Sequence, residues 1–369
     1  MAKIMLEYKQ YELAQVCTRL SSGKGIPASQ VFDDGKYPVY GGNGLRGFAD
    51  HSNFNGECAI IGRQGAFCGN VRYFCGEAYM TEHAVVVCAN SDHNTRYLAY
   101  LLSRMNLGRL SGQSAQPGLS VKTLAKQIVE LPPLEVQKKV VAVLSSLDSK
   151  IELNLKINDN LLTQAQTLYK QFFPYGVQDD LPDGWRIGTV GEIIEIHDSK
   201  RIPLSGADRS KMEKKIYPYY GAASLMDFVD NYIFDGKYLL LGEDGTVVDD
   251  AGYPILQYVW GQFWVNNHAH ILTGRLGYDV ESLYMLFKQT PVKSIVTGAV
   301  QPKISQANLR SVQVIIPPEH NLREYNDLVE PLFSLFRANE EECKTLTALR
   351  DTLLPKLMSG EIDVSSVQF

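Results

Sequence analysis

Several features that the chain lacks narrow its class. No apolar run in its 369 residues approaches the ~18–20 residues that a membrane-spanning helix needs, so no membrane partner is expected. Residues 1–10 are mixed polar and contain no signal-peptide core, which predicts a cytoplasmic protein. The six cysteines include no Cys-x-x-Cys pair, and this favours reduced thiols over a disulfide framework.

The chain also lacks a strong excess of charge of either sign. The chain has 36 Lys+Arg and 41 Asp+Glu, for a net charge of -5. Residues 1–133 hold 13 basic and 10 acidic side chains, whereas residues 175–317 hold 13 and 17. Net charge governs solubility and non-specific attraction rather than local sites. The balance therefore argues against a strong nucleic-acid clamp, but local basic contacts stay possible.

What the chain does contain is a long internal repeat. Residues 37–41 (Tyr-Pro-Val-Tyr-Gly) return as residues 217–221 (Tyr-Pro-Tyr-Tyr-Gly), an offset of 180. Residues 116–120 (Gln-Pro-Gly-Leu-Ser) return as residues 301–305 (Gln-Pro-Lys-Ile-Ser), an offset of 185. Solenoid repeats are only about 20–50 residues long, so this period indicates a duplicated domain.

Each repeat begins with a block of short strands and short helices. β-branched and aromatic runs such as residues 57–61 and 237–241 predict strands. The pairs Asn55-Gly56 and Asp235-Gly236 predict turns. Helices are predicted near residues 96–105 and 281–288, and Ser120 and Ser305 are each placed to cap a shorter one.

Each block is followed by a long helical segment. Residues 134–173 contain neither Gly nor Pro, and apolar residues recur there at alternating spacings of four and three, the pattern of a heptad seam. The first seam is Leu147, Ile151, Asn154, Asn158, Leu161, Ala165, Leu168 and Phe172, and the second is Leu332, Leu335, Asn339, Glu342, Leu346, Leu349 and Leu353. Forty helical residues extend about 60 Å. We expect the two helices to pair antiparallel, with polar seam positions fixing the register; the alternative is that each packs on its own domain.

The sequence therefore predicts an α+β fold in which two long antiparallel coiled-coil helices separate two similar mixed α/β domains, with pseudo-twofold symmetry. The predicted division is residues 1–133 for the first domain, 134–174 for the central helix, 175–317 for the second domain and 318–369 for the C-terminal helix.

The order of these motifs resembles the specificity subunit of type I restriction-modification systems. The shared features are Tyr-Pro-x-Tyr-Gly, a later His-Ala, Gln-Pro-x-(Leu/Ile)-Ser, a Pro-Pro pair, a long helix, and the ending at residues 353–362. The resemblance implies that each globular domain is a target recognition domain that reads one half of a split, double-stranded DNA sequence. It implies that the helices set the gap and dock DNA adenine methyltransferase subunits, two of them, and that a restriction and translocation subunit joins. S-adenosylmethionine, ATP and Mg would then belong to those partners, and this chain would hold no cofactor.

Candidate DNA contacts are polar and charged side chains in the loops of both repeats. They are Lys24, Asn43, Arg46, Arg63, Gln64, Asn70, Arg72, Gln113, Ser114 and Lys122 in the first repeat, and Lys200, Arg201, Glu243, Asp244 and Lys303 in the second. Arg63-Gln64 has become Glu243-Asp244. Arginine donates to guanine and a carboxylate accepts from cytosine, so the predicted target is asymmetric. Each residue taken singly also fits an ordinary solvated surface.

No catalytic centre or metal site is predicted. The Pro-Pro pairs lack the flanks of an aminomethyltransferase motif, and no Phe-x-Gly-x-Gly loop provides a cofactor seat. His268 and His270 have a spacing that metals can use, but no repeated Cys/His/Asp set surrounds them. Tyr40 and Tyr220 are expected to belong to the domain cores or to turn packing.

Three alternatives stay open on the sequence alone. The chain fits the recognition subunit of another restriction-modification class that uses the same domains. It also fits a duplicated metal-dependent hydrolase with His268, His270 and nearby acids as ligands. The third is an interaction scaffold whose main surface is the pair of long helices.

Overall fold

The computed structural model describes residues 8–111, 118–298 and 300–364. The chain forms two compact units, Met1–Leu153 with Glu342–Phe369 as unit 1 and Asn154–Glu341 as unit 2. Two long helices, α3 (Leu134–Phe172) and α8 (Glu319–Met358), each contribute residues to both units. None of the helices in the described ranges combines the length and apolarity needed to cross a membrane.

Unit 1 contains a six-stranded sheet of order β2-β7-β5-β6-β3-β4 and a two-stranded sheet of β1 and β8. The strands are β1 (Lys9–Glu12), β2 (Cys17–Ser22), β3 (Tyr37–Gly41), β4 (Gly44–Ala49), β5 (Phe54–Gly62), β6 (Val71–Met80), β7 (Ala84–Ala89) and β8 (Ile128–Leu131), and the helices before α3 are α1 (Thr95–Arg104) and α2 (Val121–Ala125). Helix α1 buries Tyr97, Leu98 and Leu102 in a core that includes Ile61 and Val87 of the sheet.

Unit 2 contains two four-stranded sheets, β10-β17-β14-β15 and β12-β11-β16-β13, and the pair β9 with β18. The strands are β9 (Arg186–Thr189), β10 (Ile194–Ile196), β11 (Tyr217–Tyr220), β12 (Leu225–Val229), β13 (Phe234–Asp235), β14 (Tyr238–Gly242), β15 (Leu256–Val259), β16 (Gln262–Val265), β17 (Ala269–Gly274) and β18 (Gln313–Ile316). The short helices are α4 (Val190–Ile193), α5 (Gly206–Ser210), α6 (Val280–Phe287) and α7 (Gln306–Arg310).

The strand registers repeat between the units. The first and last strands of each block pair antiparallel, with Lys9 opposite Leu131 in unit 1 and Arg186 opposite Ile316 in unit 2. The Tyr-Pro strand of each block runs parallel to a later strand, β3 with β6 and β11 with β16. Each Tyr-Pro strand also has a register shift against its hairpin partner, just before Tyr40 and just before Tyr220. The sequence repeat is therefore a repeat of hydrogen-bond pattern.

The predicted helix caps are confirmed. The Ser120 side chain accepts a hydrogen bond from the backbone N–H of Thr123, and the Ser305 side chain accepts one from Asn308. Such caps satisfy N–H groups that the first helical turn leaves without partners. The helices predicted near residues 96–105 and 281–288 are α1 and α6, and all six cysteines are free thiols, as expected.

The turn predicted at Asn55-Gly56 is wrong. Both residues lie inside β5, where Gly56 faces Gly76 of β6. The two glycines have φ values of +126° and +131°, a conformation that residues with a Cβ rarely adopt. They therefore mark a distortion within a long hairpin. In unit 2 the equivalent strand does break, because β13 ends at Asp235 and β14 begins at Tyr238.

Helices α3 and α8 contact each other within each unit. In unit 1, Arg350 Nη1 donates to Asp148 Oδ1 at 3.2 Å, and Lys150 Nζ lies 3.1 Å from Glu342 Oε2. In unit 2, Tyr325 OH donates to the Ala165 carbonyl at 3.2 Å. In these unit 1 contacts, the residue numbers decrease along α8 as they increase along α3.

A pair of buried asparagines joins the helices in unit 2. Asn339 Nδ2 donates to Asn158 Oδ1 at 2.9 Å, and Asn158 Nδ2 donates to Glu340 Oε1 at 2.8 Å. Asn158 is 3% exposed and Asn339 is 7% exposed, so these amides are removed from water. Buried polar groups without partners are costly, and the pair therefore favours one alignment of the helices over shifted ones.

The second predicted seam differs from the structure in places. Leu335 and Leu349 are 47% and 45% exposed, and Glu342 is exposed beside Lys150. Phe333 and Cys343 are buried on α8 instead. The apolar residues of α8 allow more than one run of three- and four-residue steps, and an error of one residue rotates a side chain by about 100° around the helix.

We expect the Asn158–Asn339 pair to show strong coupling. Either single substitution, Asn158→Leu or Asn339→Leu, leaves one buried amide without its partner and should lower the free energy of unfolding by about 1–3 kcal/mol. The double variant should lose much less than the two losses combined. Denaturant titration of the full chain as wild type, as each single variant and as the double variant measures this coupling.

Asn160→Leu provides the control, because Asn160 lies on the exposed face of α3. Its effect should stay within about 0.5 kcal/mol. Strictly additive losses in the double variant would contradict the coupling.

Candidate nucleic-acid interface

Loops from five segments of unit 1 meet around the β3–β4 hairpin. Arg72 Nη2 of β6 donates to the Asn43 carbonyl in the hairpin turn at 3.3 Å. The backbone N–H of Arg63 donates to the His83 carbonyl at 3.0 Å, and Arg63 Nη1 donates to Ser22 Oγ at 3.4 Å. These contacts bring β2, the hairpin, the end of β5, β6 and the turn before β7 together.

Lys24 joins this group through a close backbone approach. Its N–H donates to the Met80 carbonyl at 2.9 Å. A Cβ on Gly23 would collide with the same carbonyl oxygen, so only glycine fits beside Lys24. The first loop cluster, as we name it, consists of Lys24, Asn43, Arg46, Arg63, Gln64 and Arg72. All of them are exposed except Arg63, which is half-buried.

The other candidates of the first repeat vary in position. Asn70 is exposed, and its carbonyl accepts from the Gly62 N–H at 2.9 Å at the edge of the cluster. A β-bridge joins Gln64 to Gly118, which leads into α2 with the exposed Lys122. Gln113, Ser114 and Gln116 lie outside the described residues.

Unit 2 repeats the backbone frame with other side chains. The N–H of Glu243 donates to the His268 carbonyl at 2.8 Å, as Arg63 does to His83. The Glu243 carbonyl accepts from Ile304 at 2.9 Å, and the Arg63 carbonyl accepts from Leu119 at 2.8 Å. The frame therefore presents Glu243-Asp244 where unit 1 presents Arg63-Gln64.

Two predicted contacts in unit 2 bind each other. Arg201 Nη1 donates to Glu243 Oε2 at 2.6 Å and to the Ala269 carbonyl at 2.8 Å. Both side chains are only 13% exposed. Lys303 Nζ lies 3.2 Å from Glu243 Oε1, and Asp244 pairs with His268 Nδ1. Lys200 is exposed and Lys303 is half exposed, which makes these two the most accessible candidates of the second repeat.

Behind this surface lies His270, which the sequence singled out only for its spacing from His268. His270 is fully buried, its Nδ1 is 2.6 Å from Asp198 Oδ2, and its Nε2 is 2.8 Å from the Ile304 carbonyl. The carboxylate oxygen and the carbonyl oxygen are hydrogen-bond acceptors, so each ring nitrogen of His270 faces one acceptor. Gln306 Nε2 also donates to Asp198 Oδ2, at 2.6 Å. Asp198, Arg201, Glu243 and His270 form the buried ion network.

The charges of the network keep its carboxylates ionised. Burial acts to raise the pKa of Asp198, but His270, the Ile271 backbone N–H and Arg201 together outweigh burial and hold the pKa below its ordinary value of 3.8. Burial likewise acts to raise the pKa of Glu243, while Arg201, His270 and Lys303 together bring it below 4.5. The basic side chains that surround the two carboxylates thus keep them ionised.

The same cluster has the composition of a metal site but not its chemistry. Ligand atoms of Asp198, Glu243 and His270 lie within 4.8 Å of one another. Each of those atoms already has a partner, however, since Arg201 and Lys303 bind Glu243 and both ring nitrogens of His270 are hydrogen-bonded. A metal ion would have to displace these partners and bind beside the Arg201 and Lys303 cations. We therefore assign the cluster to structural ion pairing.

The tyrosines of the repeated motif pack as predicted. Tyr40 contacts Phe74 with ring centroids 5.0 Å apart, and Tyr220 contacts Phe263 at 5.9 Å. Both belong to apolar clusters beneath the hairpins, so they support the loops from below. Of the residues around His270, sequence reasoning missed Asp198 and Gln306, because neither lies in a recognisable motif.

The buried ion network should make stability sensitive to acid. The pKa of Asp198 is depressed in the folded state, so its contribution is complete at neutral pH and is lost as the pH falls through 3.8 toward the folded value. We expect Asp198→Asn to lower the free energy of unfolding near neutral pH by about 3–5 kcal/mol, because it removes the carboxylate that pairs with Arg201 and His270 in a buried cluster. Urea titrations of both proteins measure the difference, which should shrink near pH ~3.

Asp250→Asn is a suitable control, since Asp250 is an exposed carboxylate of the same unit. It should behave as wild type at both pH values. A deficit of Asp198→Asn that is equally large in acid would show that the carboxylate charge is not the cause.

Comparison with known proteins adds a family and a fold. The sequence matches the family model described as type I restriction modification DNA specificity domain over residues 5–163 and 182–347. The EcoprrI specificity subunit of a type I restriction enzyme from Escherichia coli is 36% identical over 148 residues, which span 39% of this chain and 37% of that protein. The MjaIX specificity subunit from Methanocaldococcus jannaschii is 24% identical over 309 residues, 74% of this chain and 70% of that protein. The crystal structure of a type I restriction-modification S subunit from M. genitalium aligns with a TM-score of 0.64 at 17% identity, over 97% of both chains, and so shares the fold.

Proposed function

Because the chain belongs to the type I restriction modification DNA specificity domain family, we propose that it selects the DNA sequence for such a system by reading a target in two separate, unlike halves. The observation that carries this proposal is the repeated backbone frame with exchanged side chains. Arg63-Gln64 in unit 1 and Glu243-Asp244 in unit 2 occupy equivalent positions. Arginine suits guanine and the carboxylate of Asp244 suits cytosine N4, so the two frames select different bases.

The proposed DNA contacts follow from accessibility. In unit 1 the accessible candidates are Lys24, Asn43, Arg46, Gln64, Asn70, Arg72 and Lys122, with the half-buried Arg63; in unit 2 they are Lys200 and Lys303. Asp244 is retained on its position next to Glu243 in the frame, and Gln113 and Ser114 on the sequence alone. We give Arg201 and Glu243 a different task. Their mutual ion pair is mostly buried, and it supports a role in holding the loop that carries Asp244.

We further propose that α3 and α8 form an antiparallel coiled coil that spaces two pseudo-symmetric recognition domains, with the four-part division at residues 133, 174 and 317 given above. The contacts of Asn158 with Asn339 and of Asp148 with Arg350 support this arrangement. A helix of 39 residues is about 60 Å long, which exceeds the roughly 34 Å turn of duplex DNA that separates typical half-sites.

The exposed leucines of these helices support a docking role. Leu153 and Leu155 of α3 and Leu328, Leu335 and Leu349 of α8 are 45% to 52% exposed. Large exposed apolar side chains often mark protein interfaces. We propose that they bind two adenine methyltransferase subunits and that a restriction subunit joins the complex in the cytoplasm. S-adenosylmethionine, ATP and Mg would be bound by those subunits, which would carry the catalysis.

Two substitutions in the first loop cluster should separate affinity from sequence preference. Lys24→Ala removes a charge suited to phosphate, so it should weaken binding to every sequence and reduce the salt slope by about 1. Arg63→Ala should cost about 1–3 kcal/mol and relax the preference in one half of the target only. Selection from random duplexes, followed by affinity measurement at several salt concentrations, tests both.

Lys9→Ala controls for loss of charge, because Lys9 is exposed on β1 and lies outside the first loop cluster. Its affinity and preference should match those of wild type. If Arg63→Ala relaxed both halves equally, the assignment of one half to each domain would be wrong.

Dependence on partner subunits is a separate expectation. The purified chain with S-adenosylmethionine should not methylate DNA, and adding cognate methyltransferase subunits should restore methylation at the selected sequence. Leu335→Glu together with Leu349→Glu should prevent copurification with those subunits while leaving DNA selection unchanged, because both side chains are exposed on α8. Methylation by the chain alone would overturn the non-catalytic assignment.

A further inference from the structure

A glycine at the end of each Tyr-Pro strand makes room for one side chain from the hairpin partner. Gly41 ends β3, and the side chain of Arg46 lies where a Cβ on Gly41 would be. Gly221 directly follows β11, and the side chain of Met226 lies where its Cβ would be. Any other residue at either glycine would displace the side chain above it. We call Arg46 and Met226 the slot residues.

The surroundings of the two slot residues match. The Tyr40 carbonyl accepts from the Thr81 N–H at 2.9 Å, and the Tyr220 carbonyl accepts from the Asn266 N–H at 3.0 Å. After the register shift, Tyr40 pairs with Leu45 and Tyr220 pairs with Leu225, so the next residue along each hairpin is the slot residue. The two units thus build one position twice and fill it with opposite chemistry.

Met226 is held in place and yet accessible. Its Sδ accepts a hydrogen bond from Asn266 Nδ2 at 3.3 Å, while 55% of the residue is exposed. Its neighbour Leu225 is 44% exposed. A large apolar side chain that is exposed and also held by a hydrogen bond calls for an explanation. Arg46 is likewise exposed, and it lies in the same cluster as Lys24 and Arg72.

We propose that the slot residue selects one base pair in each half of the DNA target, with Arg46 contacting guanine and Met226 contacting the methyl group of thymine. This inference rests on the proposed function. Arginine donates to the guanine O6 and N7 atoms, and an apolar side chain in the major groove distinguishes thymine by its 5-methyl group. The unbranched, polarizable side chain of methionine adapts well to such a small apolar contact.

The test is selection of bound sequences from a random duplex library with the full chain. Met226→Arg should change the preference at one A·T pair in one half and leave the other half unchanged. Arg46→Met should do the reverse at one G·C pair. Met226→Leu keeps an apolar slot residue and should retain the wild-type sequence. Ile187→Arg adds the same charge to an exposed residue of unit 2 on β9, and should also retain it.

A second measurement isolates the methyl group. Replacing the selected thymine by deoxyuridine should weaken wild-type binding about fourfold, the effect of one buried methyl-sized group, and should not affect Met226→Arg. The deoxyuridine duplex and the thymine duplex differ in nothing else, so each is the control for the other.

The outcomes separate the inference from the function on which it rests. A wild-type chain that selects no sequence overturns the proposed function and the inference together. A two-part target that Met226→Arg leaves unchanged overturns the inference alone. A change at a G·C pair, or no effect of deoxyuridine, overturns the assignment of thymine to Met226.

Discussion

The pairing of the first strand of each repeat with its last strand is the constraint on which the remaining structure depends. β1 pairs with β8 and β9 pairs with β18, so the beginning and end of each globular block are fixed side by side. Two prolines follow directly, Pro132-Pro133 and Pro317-Pro318, and then α3 and α8 begin. Proline cannot continue a strand ladder but fits the start of a helix. Each long helix therefore leaves its block from a position that the strand pair determines.

In the loops of each block, the backbone and the side chains have separate roles. The hydrogen bonds that the loops of both units share, such as those of Arg63 with His83 and of Glu243 with His268, involve backbone atoms only. Side chains at the same positions are then free to differ without altering the frame. Where the side chains of unit 2 are acidic, compensating cations accompany them, since Arg201 and Lys303 both bind Glu243. Recognition chemistry can thus vary on a constant scaffold.

The sequence predicts best what depends on local or repeated patterns. Ser120 and Ser305 cap their helices because a serine before an apolar run supplies an acceptor at the right place. The buried Asn158 and Asn339 follow from seam spacing. The turn prediction at Asn55-Gly56 failed because an Asn-Gly dipeptide inside a strand, here opposite another glycine, looks like a turn in the sequence. The prediction that Leu335 lies in the seam failed because the apolar residues of α8 fit more than one heptad register. Asp198 with Gln306 was beyond reach, since these residues are 108 positions apart and only the fold brings them together.

The buried ion network also constrains which substitutions this protein can accept during evolution. Removing one member of a buried ion pair typically costs about 3–5 kcal/mol, against a total stability of about 5–15 kcal/mol. Glu243 is bound to Arg201, and His270 to Asp198, so single replacements among the four pass through poorly folded intermediates. Arg63 has a lighter tie, one hydrogen bond to Ser22. The first loop cluster is therefore open to stepwise substitution, while the buried ion network is expected to change by concerted replacement of several residues.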